Sequence, residues 1–163
     1  SVFFSMSVAE NLTLSMLAGR ARWRDLFRPS AFGWQSAALA RVMGNAEVSL
    51  ARDLSKSAGS LPQGHRQFLE FAMTTAAEPT LLLLDEPCAG LSPDETALMT
   101  RLVQEYQDHS GGLVIVIEHD MSIVEAISDK VLVLHQGQVL AFDTYDIVRA
   151  NRHVQAVYAG ASK

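Results

Sequence analysis

Cysteine is nearly missing from this chain: Cys88 stands alone among 163 residues, so no internal disulfide can staple the fold. A reducing compartment is the matching expectation. Long apolar runs are lacking too. The two strongest, residues 81–84 and 113–117, fall far short of the ~20 residues a membrane-spanning helix needs. The amino end has no basic stretch ahead of its short apolar patch at residues 2–4, so it is not expected to act as a secretory signal. Ser1 stands where an initiator Met would, and the chain is expected to be an excerpt of a longer one. Positive charge is also scarce: 13 Lys and Arg against 18 Asp and Glu leave a net charge of -5, which argues against wrapping along a nucleic-acid backbone. No repeat and no low-complexity tract occurs.

What is present suits a globular protein. Hydrophobic residues make up 48% and charged residues 19%, enough to build a core and unlike a disordered chain. At roughly 150 residues per domain the length allows one domain or two small subdomains. The charge is uneven: residues 1–78 hold eight basic and six acidic side chains, residues 79–163 five and twelve. Two regions, 1–78 and 79–163, are therefore expected.

The first region reads as helical. Ser7 with Glu10 three residues on has capping-box spacing ahead of a helix at 8–18, which Gly19 ends. Arg20, Arg22, Arg24 and Arg28, interleaved with Trp23 and Phe27 and closed by Pro29, form a basic aromatic loop before a helix near 35–43. Nucleic-acid binding is one reading of that loop; arginine stems lying over a helical surface is the favoured one. Phe68, Leu69, Ala72, Met73 and Ala76 recur at helical spacing within 63–77, and Glu78 with Pro79 stops that helix.

The period then changes. Residues 81–84 and 113–117 are short unbroken apolar runs, as expected of parallel strands covered on both faces. Between them Ser92, Pro93 and Glu95 start a helix that reaches about Gln107, completing a βαβ crossover. A short helix at 121–128, a hairpin turning at Gln136 and Gly137, and two closing helices at 144–150 and 152–159, the second ended by Gly160, finish an α/β chain with a C-terminal β-hairpin.

Chemistry concentrates where the first apolar strand ends in Asp85 and Glu86. Ligands of open α/β sheets bind beyond the carboxyl ends of strands. Adjacent acids repel unless a cation or a proton intervenes, and Mg²⁺ takes one or two carboxylates plus phosphate oxygens. Neighbours in an extended segment point opposite ways, so one acid would hold metal and the other would handle water. The competing reading is a plain strand cap. The second strand also ends in polar residues, Glu118, His119 and Asp120, and a histidine there can orient water or donate to a phosphoryl oxygen. Ser60, Leu61, Pro62, Gln63, Gly64 and His65 form a turn running into a helix start, a natural anion site, though taken by itself an ordinary helix start is the favoured reading.

Taken in order, Leu61 to His65, Leu81 to Pro87, Ala89 to Pro93 and Val116 to Met121 resemble the signature motif, Walker B motif, D-loop and switch histidine of ABC transporter ATP-binding subunits. Residues 86–93, 118–121 and 154–160 are most similar to the importers of branched-chain amino acids and urea. The resemblance implies a partial P-loop NTPase (RecA-like) core with an α-helical subdomain. It implies ATP and Mg²⁺ as cofactors, Asp85 serving the metal, Glu86 polarising the attacking water and His119 contacting the γ-phosphate. Ser60, Leu61, Pro62, Gln63, Gly64 and His65 would meet ATP held by a second ATP-binding subunit, and Ala89, Gly90, Leu91 and Ser92 would lie at that dimer interface. Transmembrane permease subunits would be the other partners, touched through residues 5–60, with the protein on the cytoplasmic face of the membrane. The chain departs from the pattern at Pro62, where the family has Ser, and at His65, where it has Gln. No stretch matches the phosphate-binding loop GxxxxGK[ST], so the chain alone is expected to be inactive. A non-catalytic interaction module is the alternative, and a metal-dependent hydrolase using Asp85, Glu86 and His119 ranks last.

Overall fold

The two apolar runs become parallel strands β1 (Leu81–Asp85) and β2 (Leu113–Ile117), paired in register from Leu81 beside Leu113 to Asp85 beside Ile117. The computed structural model describes residues 2–19 and 50–161. The basic aromatic loop at 20–29 and the helix at 35–43 lie outside the described residues. The chain divides into two compact units, Ser1–Ile117 and Glu118–Lys163.

In the first unit, α1 (Val8–Gly19) opens on the expected capping box: the Glu10 amide donates to Ser7 Oγ at 3.2 Å while the Ser7 amide donates to Glu10 Oε2 at 2.7 Å. Buried Asn11 ties the entering chain to this turn, accepting from the Phe3 amide at 2.8 Å and donating to the Phe3 and Ser7 carbonyls at 3.0 and 2.9 Å. The start of α1 is also strapped to residues 54–59, with the Val8 amide on the Lys56 carbonyl and the Ala58 amide on the Met6 carbonyl.

Helix α2 (Gln63–Thr75) buries Phe68, Leu69, Ala72 and Met73, as the spacing predicts, and Phe71 besides. The Ser15 hydroxyl of α1 donates to its Met73 carbonyl. Helix α3 (Pro93–Ser110) joins β1 to β2 and buries Leu98, Met99, Leu102, Val103 and Tyr106. It runs three residues beyond the expected Gln107, because Gly111 supplies the left-handed cap at φ +61. Tyr106 packs edge-on against Phe71, centroids 6.4 Å apart, and its hydroxyl donates to the Pro79 carbonyl.

One expectation is corrected. Leu82 and Leu84 are buried, but Leu81, Leu83, Leu113, Ile115 and Ile117 are 45–64% exposed. Strand residues alternate between faces, so the covered layer takes only every second side chain, and the other face of this pair is open in the described structure.

The second unit stands on an antiparallel hairpin, β3 (Val131–His135) with β4 (Gln138–Asp143). Its turn has Gln136 at φ +50 and Gly137 at φ +77, the two positive values that a tight primed turn demands. Helix α4 (Met121–Ile127) precedes it; α5 (Tyr145–Ala150) and α6 (Arg152–Ala161) follow. Val133, Val148 and Val154 form its small core, joined by Val131, Leu140 and Ala141. Helix α6 continues through Gly160, which was expected to end it. Among the described residues no helix is long and apolar enough to cross a membrane.

Candidate functional site

The two acids occupy different backbone states. Asp85 is the last residue of β1, extended, exposed and in register with Ile117. Glu86 leaves the strand at φ +46, a left-handed conformation that costs a non-glycine residue about 1 kcal/mol. It is held there from both sides: its amide donates to the Ile117 carbonyl of β2 at 2.9 Å, and its carbonyl accepts from the Ala89 amide at 3.0 Å. Pro87 and Cys88 are buried beneath this turn, so the chain reverses over an apolar floor. A strained residue at a strand end, fixed by the neighbouring strand, is the kind of site where an invested conformation serves a task.

The turn continues as Ala89, Gly90, Leu91 and Ser92. Gly90 sits at φ +74, and a Cβ there would lie 2.5 Å from Gln63 Nε2. Gln67 Nε2 reaches the Ala89 carbonyl at 3.5 Å. Gly64 packs on Glu95, whose carboxylate closes the capping box of α3: Oε2 accepts from the Ser92 amide at 2.9 Å and from the Ser92 hydroxyl at 2.8 Å. The Ser92 amide, then its hydroxyl, hold the Glu95 carboxyl below its ordinary pKa, with His65 adding a smaller pull in the same direction. Two of the expected binding segments, 60–65 and 89–92, are thus brought against each other within one unit.

Within the first of these, Leu61 and Gly64 are buried while Ser60, Pro62 and Gln63 are exposed. The Ser60 hydroxyl donates to the Ser57 carbonyl at 2.7 Å. Pro62 caps α2 without any side-chain hydrogen bond, as its ring requires. The His65 Nδ1 is buried without a hydrogen-bond partner and lies 3.8 Å from Asp53 Oδ2. Asp53 is the residue that sequence reasoning missed; it is buried beside this turn but belongs to no motif.

His119 follows β2 by two residues, is exposed, and belongs to the second unit. Asp120 beside it has a local duty as N-cap of α4, accepting from the Ser122 hydroxyl at 2.6 Å and the Ser122 amide at 2.8 Å. Those bonds, the hydroxyl's foremost, hold its carboxyl below the usual range. Among the described residues no three His, Cys, Asp or Glu side chains cluster as a metal cage. A hard cation bound mainly by phosphate oxygens asks for no such cage, and one exposed strand-end carboxylate such as Asp85 fits that demand.

The same architecture occurs in solved ATP-binding cassettes. The fold matches MJ1267, an ATP-binding cassette of an ABC transporter in its ADP conformation, with a TM-score of 0.70 at 23% identity, covering 96% of this chain and 63% of that one. An ATP-binding subunit of another ABC transporter matches with a TM-score of 0.72 at 22% identity over 100% of this chain. The chain shares the fold of these ATP-binding cassettes over the part it spans, with a parallel strand pair and an antiparallel pair.

Sequence relatives narrow the class. The chain is 35% identical over 163 residues to LivG of Salmonella typhimurium, a high-affinity branched-chain amino acid transport ATP-binding protein, covering 98% of this chain and 64% of LivG. It is 40% identical over 114 residues to BraF of Pseudomonas aeruginosa, a protein of the same description. The chain is thus similar in sequence to ATP-binding proteins of branched-chain amino acid transport and spans just under two thirds of the LivG proteins' length. No family model matches it.

Proposed function

We propose that this chain is part of the ATP-hydrolysing subunit of an ABC importer for branched-chain amino acids or related small solutes. The observation that carries this reading is the β1 terminus, where Asp85 ends the strand and Glu86 is turned out of it and pinned to Ile117. In this reading the Asp85 carboxylate holds the magnesium of MgATP, Glu86 accepts a proton from the attacking water, and His119 donates to the γ-phosphate. Phosphoryl transfer asks mainly for positioning and charge stabilisation, which such a set can supply. Ser60, Leu61, Pro62, Gln63, Gly64 and His65 face nucleotide held by a second ATP-binding subunit, and Ala89, Gly90, Leu91 and Ser92 line the contact between the two. Permease subunits are the remaining partners, residues 1–78 forming the helical subdomain that meets them, with the complex on the cytoplasmic side of the membrane. The packing of Gln63 and Gln67 against Gly90 and Ala89 supports a shared duty for the two segments.

The test is a chimera in which this chain replaces the matching stretch of Escherichia coli LivG. We expect it to bind and hydrolyse MgATP, and Glu86→Gln to abolish hydrolysis while leaving ATP bound. Hydrolysis unchanged by Glu86→Gln would sink the assignment.

A further inference from the structure

Between Glu86 and Ser92 the chain makes two successive turns, the Ala89 amide donating to the Glu86 carbonyl at 3.0 Å and the Leu91 amide to the Cys88 carbonyl at 3.2 Å. The Ala89 carbonyl falls outside both bonds and takes its donor from α2, where Gln67 Nε2 reaches it at 3.5 Å. Gln63 stands four residues earlier on the same side of the helix, and its Nε2 occupies the space over Gly90, where a Cβ would come within 2.5 Å. One helix face thus holds the middle of the turn by its backbone, and the hold continues to Glu86. Gln67 fixes Ala89, the Ala89 amide fixes the Glu86 carbonyl, and the Glu86 amide is fixed to the Ile117 carbonyl at 2.9 Å. Glu86 needs such a hold, because a left-handed φ of +46 persists in a non-glycine residue only where its surroundings impose it. Every residue on this path lies in the first unit.

We infer that Gln67 is a positioning residue for Glu86, acting through the Ala89 peptide. The inference rests on the role proposed for Glu86 and adds to it a residue outside the segments 60–65 and 85–92. Its effect is positional: a general base acts only within hydrogen-bond reach of its water, and a displacement of about 1 Å can cost on the order of 100-fold in rate. An amide side chain suits the task. It donates to a carbonyl without bringing a charge, so it steadies the turn and leaves the field at Asp85 and Glu86 unaltered. The same helix begins with residues 63–65, so the segment proposed to face the second subunit's nucleotide and the base of this chain share one support.

The experiment compares Gln67→Met, which keeps the side chain's length and loses the donor, with Gln67→Arg, whose Nε–H stands as many bonds from the backbone as the Gln67 amide nitrogen. In the LivG chimera, Gln67→Met should lower kcat for MgATP hydrolysis about tenfold or more with KM within about twofold, and Gln67→Arg should recover most of the rate. Amide exchange in the 163-residue chain without nucleotide is the second readout. In Gln67→Met the Glu86 and Ala89 amides should exchange about fivefold faster or more, while the Leu113 amide, bonded to the Thr80 carbonyl at the other end of the strand pair, keeps its rate. Unchanged kcat, kcat and KM shifting together, or Ala89 exchange equal to wild type overturns the inference, as does an Arg variant no better than Met. Should Gln67→Met fail to fold, the near-isosteric Gln67→Glu, which also lacks the donor, replaces it in both readouts. If the unsubstituted chimera does not hydrolyse MgATP, the proposed function fails, and the exchange comparison alone then decides whether Gln67 holds the turn.

Discussion

Adding one methyl group at Gly64 probes how the start of α2 is locked to α3. A Cβ at that position would lie 2.2 Å from Glu95 Oε1, 2.8 Å from its Cδ and 3.2 Å from Oε2, so the Glu95 carboxylate must leave. Leaving breaks the reciprocal half of the capping box, because the same carboxylate accepts from the Ser92 amide and hydroxyl. Losing a cap of this kind costs roughly 1 kcal/mol. Against this, alanine is favoured over glycine in a helix by up to about 1 kcal/mol, somewhat less in a first turn. In the wild-type background the two nearly cancel, and Gly64→Ala should change stability by no more than about 0.5 kcal/mol. With Glu95→Ala already present the clash is gone and the cap already lost, so Gly64→Ala should stabilise by roughly 0.5–1 kcal/mol. Urea unfolding of the four proteins reads this as a coupling of about 1 kcal/mol between positions 64 and 95. Additivity within about 0.3 kcal/mol would refute the claim that this carboxylate occupies the space over Gly64.

Two further outcomes follow from the same turn. Ser92→Ala should cost about 1 kcal/mol at neutral pH through loss of the α3 cap. Because Ser92 lowers the folded-state pKa of Glu95, this stabilisation is present above the ordinary value of 4.5 and is lost as pH falls through the lower folded value. Stability curves of wild type and variant should therefore converge in acid; a constant gap down to about pH 2 would contradict the assignment. At the strand end, Glu86→Gly relieves a left-handed backbone at φ +46, so in the LivG chimera it should abolish hydrolysis without loss of thermal stability. A marked fall in Tm would show that the Glu86 side chain supports the fold rather than a reaction.

Local signals in the sequence carried far. Ser7 with Glu10 and Ser92 with Pro93 and Glu95 are capping patterns whose bonds form within a few residues, and both helices begin where those patterns put them. The runs 81–84 and 113–117 pair in parallel, and Gln136 with Gly137 makes the hairpin turn. What stayed hidden depends on distance in the chain. An all-apolar strand is compatible with cover on both faces, yet the run itself says nothing of which layers exist, and Leu83 and Ile117 prove open. Glu86 gives no hint of a positive φ, since glutamate has no preference for it; the conformation is imposed by the Ile117 carbonyl, 31 positions on. Asp53 lies in no motif, and only the folded chain sets it beside His65. His119 was legible as a polar residue after an apolar strand, a placement in sequence and not yet a distance to the acids.

The proposed function turns on that distance. Replacing Mg²⁺ by paramagnetic Mn²⁺ in the ATP-loaded Glu86→Gln chimera and recording nuclear resonances measures it directly. Signals of Asp85 and His119 should broaden together, only when ATP is present, while residues on the hairpin turn such as Gly137 stay sharp. Broadening at Asp85 with His119 untouched would contradict a shared nucleotide site.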